Sequence, residues 1–160
     1  MQTHSIKVLS IISAFVLSGC AAYKAVPAYQ GDSINFKVSD ASTAYFAATS
    51  CAMDHISVPT SGDFFSYNSE KNQSYALTYN FSLNSVSPML PAQNARGTLK
   101  VVVKDVDVNM SINNLNLYTE RSDYSRGGWG EIIFAGQVEE ASVKVKQLLN
   151  DMKLCIENHN

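Results

Sequence analysis

The sequence is poor in charge, in cysteine and in long apolar runs, and each shortage excludes something. Charged residues make up 16% of the 160, and 12 Lys and Arg stand against 14 Asp and Glu, for a formal net charge of −2. A nucleic-acid-binding face needs clustered Lys and Arg, so no nucleic-acid partner is expected. The apolar run from Val8 to Leu17 is too short to cross a bilayer as a helix, which takes roughly 20 residues. No internal repeat is visible, and no catalytic motif stands out. What is there is a 46% hydrophobic chain, long enough for one domain with its own core. Its surface relies on Ser, Asn and Thr for solubility.

The N-terminus is the most informative stretch. One positive charge, Lys7, precedes the apolar run, which only Ser10, Ser13 and Ala14 interrupt. About 7–15 residues is the length of a signal-peptide core. Leu17-Ser18-Gly19-Cys20 closes it. This tetrapeptide resembles the lipobox of bacterial lipoproteins: an aliphatic residue, two small ones that fit a narrow protease cleft, then a cysteine. The thiolate of that cysteine is the nucleophile that takes the diacylglycerol. The resemblance implies removal of residues 1–19 and lipidation of Cys20; residues 20–33, with Pro27, Gly31 and no periodic apolar pattern, read as a tether ahead of one globular domain over 34–157. Lys7 is the only charge lost, so the mature chain carries −3. Each buried CH₂ of the lipid stabilises membrane attachment by roughly 0.8 kcal/mol. Ala21 after the cysteine, by the family's sorting rule, implies the outer membrane and a periplasm-facing domain.

Outside the cytoplasm Cys51 and Cys155 are an even pair. Val138, Ala141, Val145, Leu148, Met152 and Cys155 recur at three- and four-residue steps, which predicts a helix over Val138–Glu157 with the cysteine on its buried stripe. Ala44, Ala48 and Ala52 predict a second helix from Asp40 to about Ile56, capped by Ser39 or Asp40. A Cys51–Cys155 disulfide joining these helices on one face of a sheet is the expectation, and two separate buried thiols are the alternative. A metal site is not expected, because two cysteines do not fill a tetrahedral shell and only His55 and His159 remain in the mature chain.

The rest alternates as strands do. Ile34, Phe36 and Val38 mark the first. Breaks at Pro59 and Ser61-Gly62-Asp63 lead to Phe64–Tyr67, and a turn at Ser69–Asn72 leads to the clearest strand, with Tyr75, Leu77, Tyr79, Phe81 and Leu83 on one face. Ser85–Arg96, with Pro88 and Pro91, reads as a loop. Leu99, Val101 and Val103 follow, then Val106, Val108, Met110 and Ile112 opposite Asp107, Asn109, Ser111 and Asn113. Tyr118–Gly130 reads as a mobile segment, and Ile132-Ile133-Phe134 leads into the last helix.

The predicted class is α+β: an antiparallel sheet of about five strands with two helices on one face, in the order strand, helix, four strands, helix. That order, with the run Gly97–Asp105 leading into Val108–Ile112, resembles bacterial lipoprotein families of unknown function whose domain has a TATA-binding-protein-like fold. Where those families carry a basic-aspartate-glycine turn and an aromatic, this chain has Val106 and Val108. The resemblance brings no activity with it.

Asp105-x-Asp107-x-Asn109 imitates the start of a calcium loop, but Met110 and Asn116 stand where glycine and glutamate belong, so strand alternation is the better account. Asp54-His55 has no nucleophile to serve and reads as a helix end. Arg126-Gly127-Gly128-Trp129-Gly130 is the candidate partner-binding segment, since Trp and Arg dominate binding hot spots. With Tyr118, Arg121 and Tyr124 it would form an aromatic-basic loop, centred on Tyr124, Arg126 and Trp129. The alternative is a Trp129 that plugs the core. The functional expectation is a non-enzymatic, lipid-anchored interaction or accessory module without cofactor, engaging an envelope protein or glycan. The alternative is a carrier of small apolar ligands, with a cavity between helices and sheet lined by Tyr45, Tyr79 and Phe81.

Overall fold

Apolar residues at every second position build the strands of this domain, and apolar residues at three- and four-residue steps build its helices. In the computed structural model, which describes residues 24–57, 62–86, 91–120 and 126–159, the elements are β1 (Asp32–Lys37), α1 (Ala41–His55), β2 (Phe65–Ser69), β3 (Ser74–Leu83), β4 (Gln93–Lys104), β5 (Asp107–Thr119), β6 (Gly128–Glu131) and α2 (Ala135–His159). The fold is α+β. The sheet runs β1-β5-β4-β3-β2, and β6 also pairs with β5. β1 takes the Asp107–Ile112 half of β5 and β6 takes Asn116–Thr119, so two short strands share one edge.

Register decides which side chains meet. Tyr75, Val101 and Met110 form one inward row that continues to Ile34, and Leu77, Leu99 and Ile112 form the next. Both helices cover this face, and these rows are buried except for the half-buried Ile34. Each fully buried large side chain contributes about 1.5–3 kcal/mol. α1 turns Ala44, Ala47, Ala48, Cys51 and Ala52 inward, and such small residues let the helix lie close to the strands. Tyr75 fills the space beneath and donates to the Ala48 carbonyl at 2.7 Å. Tyr45 and Tyr75 meet edge to face at 6.3 Å, and Tyr79 stacks on Phe81 at 5.0 Å. The aromatics expected to line a cavity thus pack on neighbouring rings.

Of the two candidate caps, Asp40 serves. Its Oδ1 accepts from the Ser42 hydroxyl at 2.7 Å and the Ser42 amide at 2.8 Å, which holds its carboxyl below the usual range. A disulfide joins Cys51 to Cys155 and clamps α1 to α2, with the Cα atoms 5.9 Å apart. Cys51 is buried and Cys155 only half-buried, because the inward stripe of α2 runs through Leu149, Met152 and Ile156. No helix among the described residues is long and apolar enough to cross a membrane.

Four local expectations are corrected. β4 begins at Gln93, inside the stretch read as a loop, because its pairing with β3 continues through Phe81–Ala95 to Leu83–Gln93. The segment read as mobile supplies the end of β5 and all but the last residue of β6, a sixth strand. Ile132 is buried, and the backbone after it pairs with the segment that precedes β1. Val26 N donates to Ile133 O at 2.8 Å, Tyr29 N to Ile132 O at 3.2 Å and Ala135 N to Lys24 O at 3.0 Å. Residues 24–29, read as tether, are therefore bound to the domain, and α2 starts three residues earlier than its apolar stripe suggests. Pro59, Ser61 and Pro88 lie outside the described residues.

Candidate interaction surface

The open face of the sheet gains its distinctive feature from a bulge. From Val108 to Ile112, β5 alternates strictly, and unbroken alternation would turn Asn114, Asn116 and Tyr118 inward. Instead the pairing slips between Arg96 and Thr98 of β4, where Gly97 alone faces Asn114 and Leu115. Asn114 takes a left-handed φ of 53°, tolerated by an asparagine. The extra residue inverts the phase. Leu115 and Leu117 enter the core, and Asn116 and Tyr118 emerge on the open side. Gly97 makes this fit: a Cβ there would lie 3.0 Å from Ile112 Cγ2 and Leu115 Cδ2.

β6 then brings Trp129 opposite Tyr118. Gly127 and Gly128 lead into it at φ 70° and 126°, angles that favour glycine. The two rings stand 5.3 Å apart, and the Arg96 guanidinium lies 4.0 Å over the indole. A cation over an indole at this distance contributes about 0.5–1 kcal/mol when exposed. Trp129 remains 41% exposed and Tyr118 37%, so the tryptophan does not plug the core. Asn116 and Glu131 form the next cross-strand pair on the same side. They adjoin a polar cleft of about 350 Å³ between the ends of β1 and β6, whose wall includes Gln30, Asn113 and Asn114.

Trp129 and Tyr118 thus meet as the sequence suggested, but the basic partner is different. Arg126 is exposed before β6, and the guanidinium on the indole is that of Arg96. Tyr124 and Arg121 lie outside the described residues, as does Cys20. Arg96 lies in the proline-containing stretch that reads as a loop, so the sequence gives it no strand neighbours. The inward-facing Ala95 and Gly97 on either side, in step with Leu99, were the signal that the strand begins earlier. A pre-locked indole, phenol and guanidinium offer stacking area and directional hydrogen bonds at little entropic cost, as binding surfaces do.

The other candidates form no comparable constellation. Asp105 occupies a tight turn at φ 53° and Asp107 pairs with Lys37 at 3.9 Å across the β1–β5 register, so the calcium-like spacing is strand and turn spacing. Asp54 and His55 are exposed at the end of α1. His159 Nδ1 lies 3.7 Å from Cys155 Sγ and 2.9 Å from the Cys155 carbonyl. Together with Cys51 these are potential metal ligands, but a disulfide presents no thiolate.

An antiparallel sheet with two helices on one face, in this strand order, defines a TATA-binding-protein-like α+β domain. Two solved structures show the likeness. A TBP-like protein from Parabacteroides distasonis superposes with a TM-score of 0.58 at 8% identity, over 81% of this chain and 94% of its own. A DUF4468 family protein from Bacteroides ovatus gives 0.61 at 10% identity, over 84% and 90%. Such identities speak for the fold alone. No protein-family model and no curated protein matches the chain.

Proposed function

We propose that this protein is a non-enzymatic, lipid-anchored envelope module, held at the outer membrane through Cys20, whose partner surface is the platform of Trp129, Tyr118 and Arg96. The observation that carries the reading is the exposure of an indole that three separate strands hold in place. A side chain needed only for packing would turn inward. The anchor rests on the lipobox-like Leu17–Cys20 after an apolar run, and the partner class is another envelope protein or a glycan.

The test is chemical cross-linking in native membranes, followed by capture of the intact lipoprotein and of the Trp129→Ala variant. Loss of a captured partner in the variant is the expected outcome, and digestion of the captured material with protease distinguishes protein from glycan. An identical set from both would remove Trp129 from the mechanism. Mass spectrometry of the same material reads the anchor directly: a diacylglyceryl group on an N-terminal Cys20 is expected, and a chain that starts at Met1 with a free thiol there overturns the reading.

A further inference from the structure

The exposed large hydrophobic side chains fall into two chemically different sets. Tyr67, Tyr118 and Trp129, all polar-tipped, are strand residues of the open sheet face. Phe46 and Met53 of α1 and Val143 and Leu154 of α2 have no polar atom capable of a strong hydrogen bond, and each is more than half exposed. The first set suits an aqueous interface with hydrogen-bonding partners. The second belongs to the helices, the opposite layer of the domain. Val143 and Leu154 lie about three turns apart on one side of α2. Between Asp40 and Asp54, α1 carries no acidic or basic side chain, so an apolar medium brought against it would desolvate no ion.

Where the chain leaves the domain points to what covers that layer. Lys24 is fixed by its hydrogen bond to Ala135, the first residue of α2. Beside it runs a shallow, mostly apolar groove of about 480 Å³ between Val26, Pro27 and Tyr29 on one side and Val138 and Val143 on the other. Four residue steps separate Lys24 from Cys20, a reach of at most about 14 Å. A domain of this size is about 35 Å across, so a lipid on Cys20 holds the start of α2 close to the bilayer.

We propose that the outer face of the helical layer is a bilayer-contact surface. Phe46, Met53, Val143 and Leu154 rest on the lipid, and the sheet face with Trp129 points away from it. The inference rests on the anchor at Cys20 proposed above. Its occupant is a phospholipid surface engaged by apolar contact rather than by charge, since the mature chain is weakly acidic.

The experiment uses full-length lipidated protein in phosphatidylethanolamine–phosphatidylglycerol vesicles containing brominated lipid, which quenches tryptophan on contact. Native protein reports from Trp129. Phe46→Trp and Leu154→Trp, each combined with Trp129→Phe, report from the helices, and both sites are exposed enough to accept an indole. The expected result is loss of emission from both helix reporters and none from Trp129. Quenching of Trp129 with unquenched helix reporters would reverse the orientation and overturn the proposal. Quenching of none, in protein whose mass confirms the lipid, would also overturn it while leaving the anchor intact. A mass without lipid on Cys20 removes the anchor first and this inference with it.

Discussion

Breaking the Cys51–Cys155 bond should cost this domain a large share of its stability. The two cysteines are 104 residues apart, and closing a loop of that length removes about 4.7 kcal/mol of chain entropy from the unfolded state. A domain of this size has a total of about 5–15 kcal/mol to lose. With an unfolding entropy of about 2.1 cal/mol/K per residue, the same figure corresponds to a fall of roughly 15 °C in Tm. The bond also joins α1 to α2 directly, so its loss weakens the layer that covers the sheet. Urea unfolding of the oxidised protein, of protein unfolded and refolded with a phosphine reductant, and of the Cys51→Ala/Cys155→Ala variant measures the effect. Both perturbed forms should unfold at clearly lower urea. Agreement of all three stabilities to within about 1 kcal/mol would refute the loop-closure reasoning, because that difference is no more than an average point mutation produces.

Three further outcomes follow from single residues. Gly31 holds a φ of 104°, and a Cβ there would stand 1.8 Å from the Ile112 carbonyl oxygen, so Gly31→Ala should lower stability by more than about 2 kcal/mol in thermal unfolding. Burial and then the neighbouring Tyr45 raise the Tyr75 hydroxyl above its ordinary pKa of 10.0. The folded state keeps this proton while the unfolded state releases it, so the contribution is intact below pH 10 and stability falls as pH rises above it. Tyr75→Phe should cost about 1 kcal/mol at neutral pH and show a shallower alkaline loss in urea titrations. Arg96→Ala should increase acrylamide quenching of Trp129 by uncovering the indole face it shields, and unchanged quenching would contradict the stacking.

The sequence was a good guide wherever one physical constraint acted alone. Strict alternation from Tyr75 to Leu83 and from Val106 to Ile112 predicted strands with one buried face, and both faces are oriented as read. The small-residue face of α1 and the stripe of α2 predicted two helices on one side of a sheet. The sequence was a poor guide where two segments define each other. Gln93–Arg96 has too few apolar residues to read as strand, and β4 extends there because β3 is already in register beside it. Residues 24–29 lack periodicity, yet their backbone groups are satisfied by Ile132–Ala135.

The amino-acid pattern by itself determined the class of fold, the inward faces, the two helices and the cysteines available to join them, because burial period is a local property of the chain. Only the tertiary structure decided what surrounds Trp129. One extra residue at Asn114 reverses the facing of everything after it, and the arginine on the indole comes from a strand more than thirty residues away in sequence. A phase change of this kind depends on what the neighbouring strand leaves room for, here the missing side chain of Gly97, and no single segment contains that information.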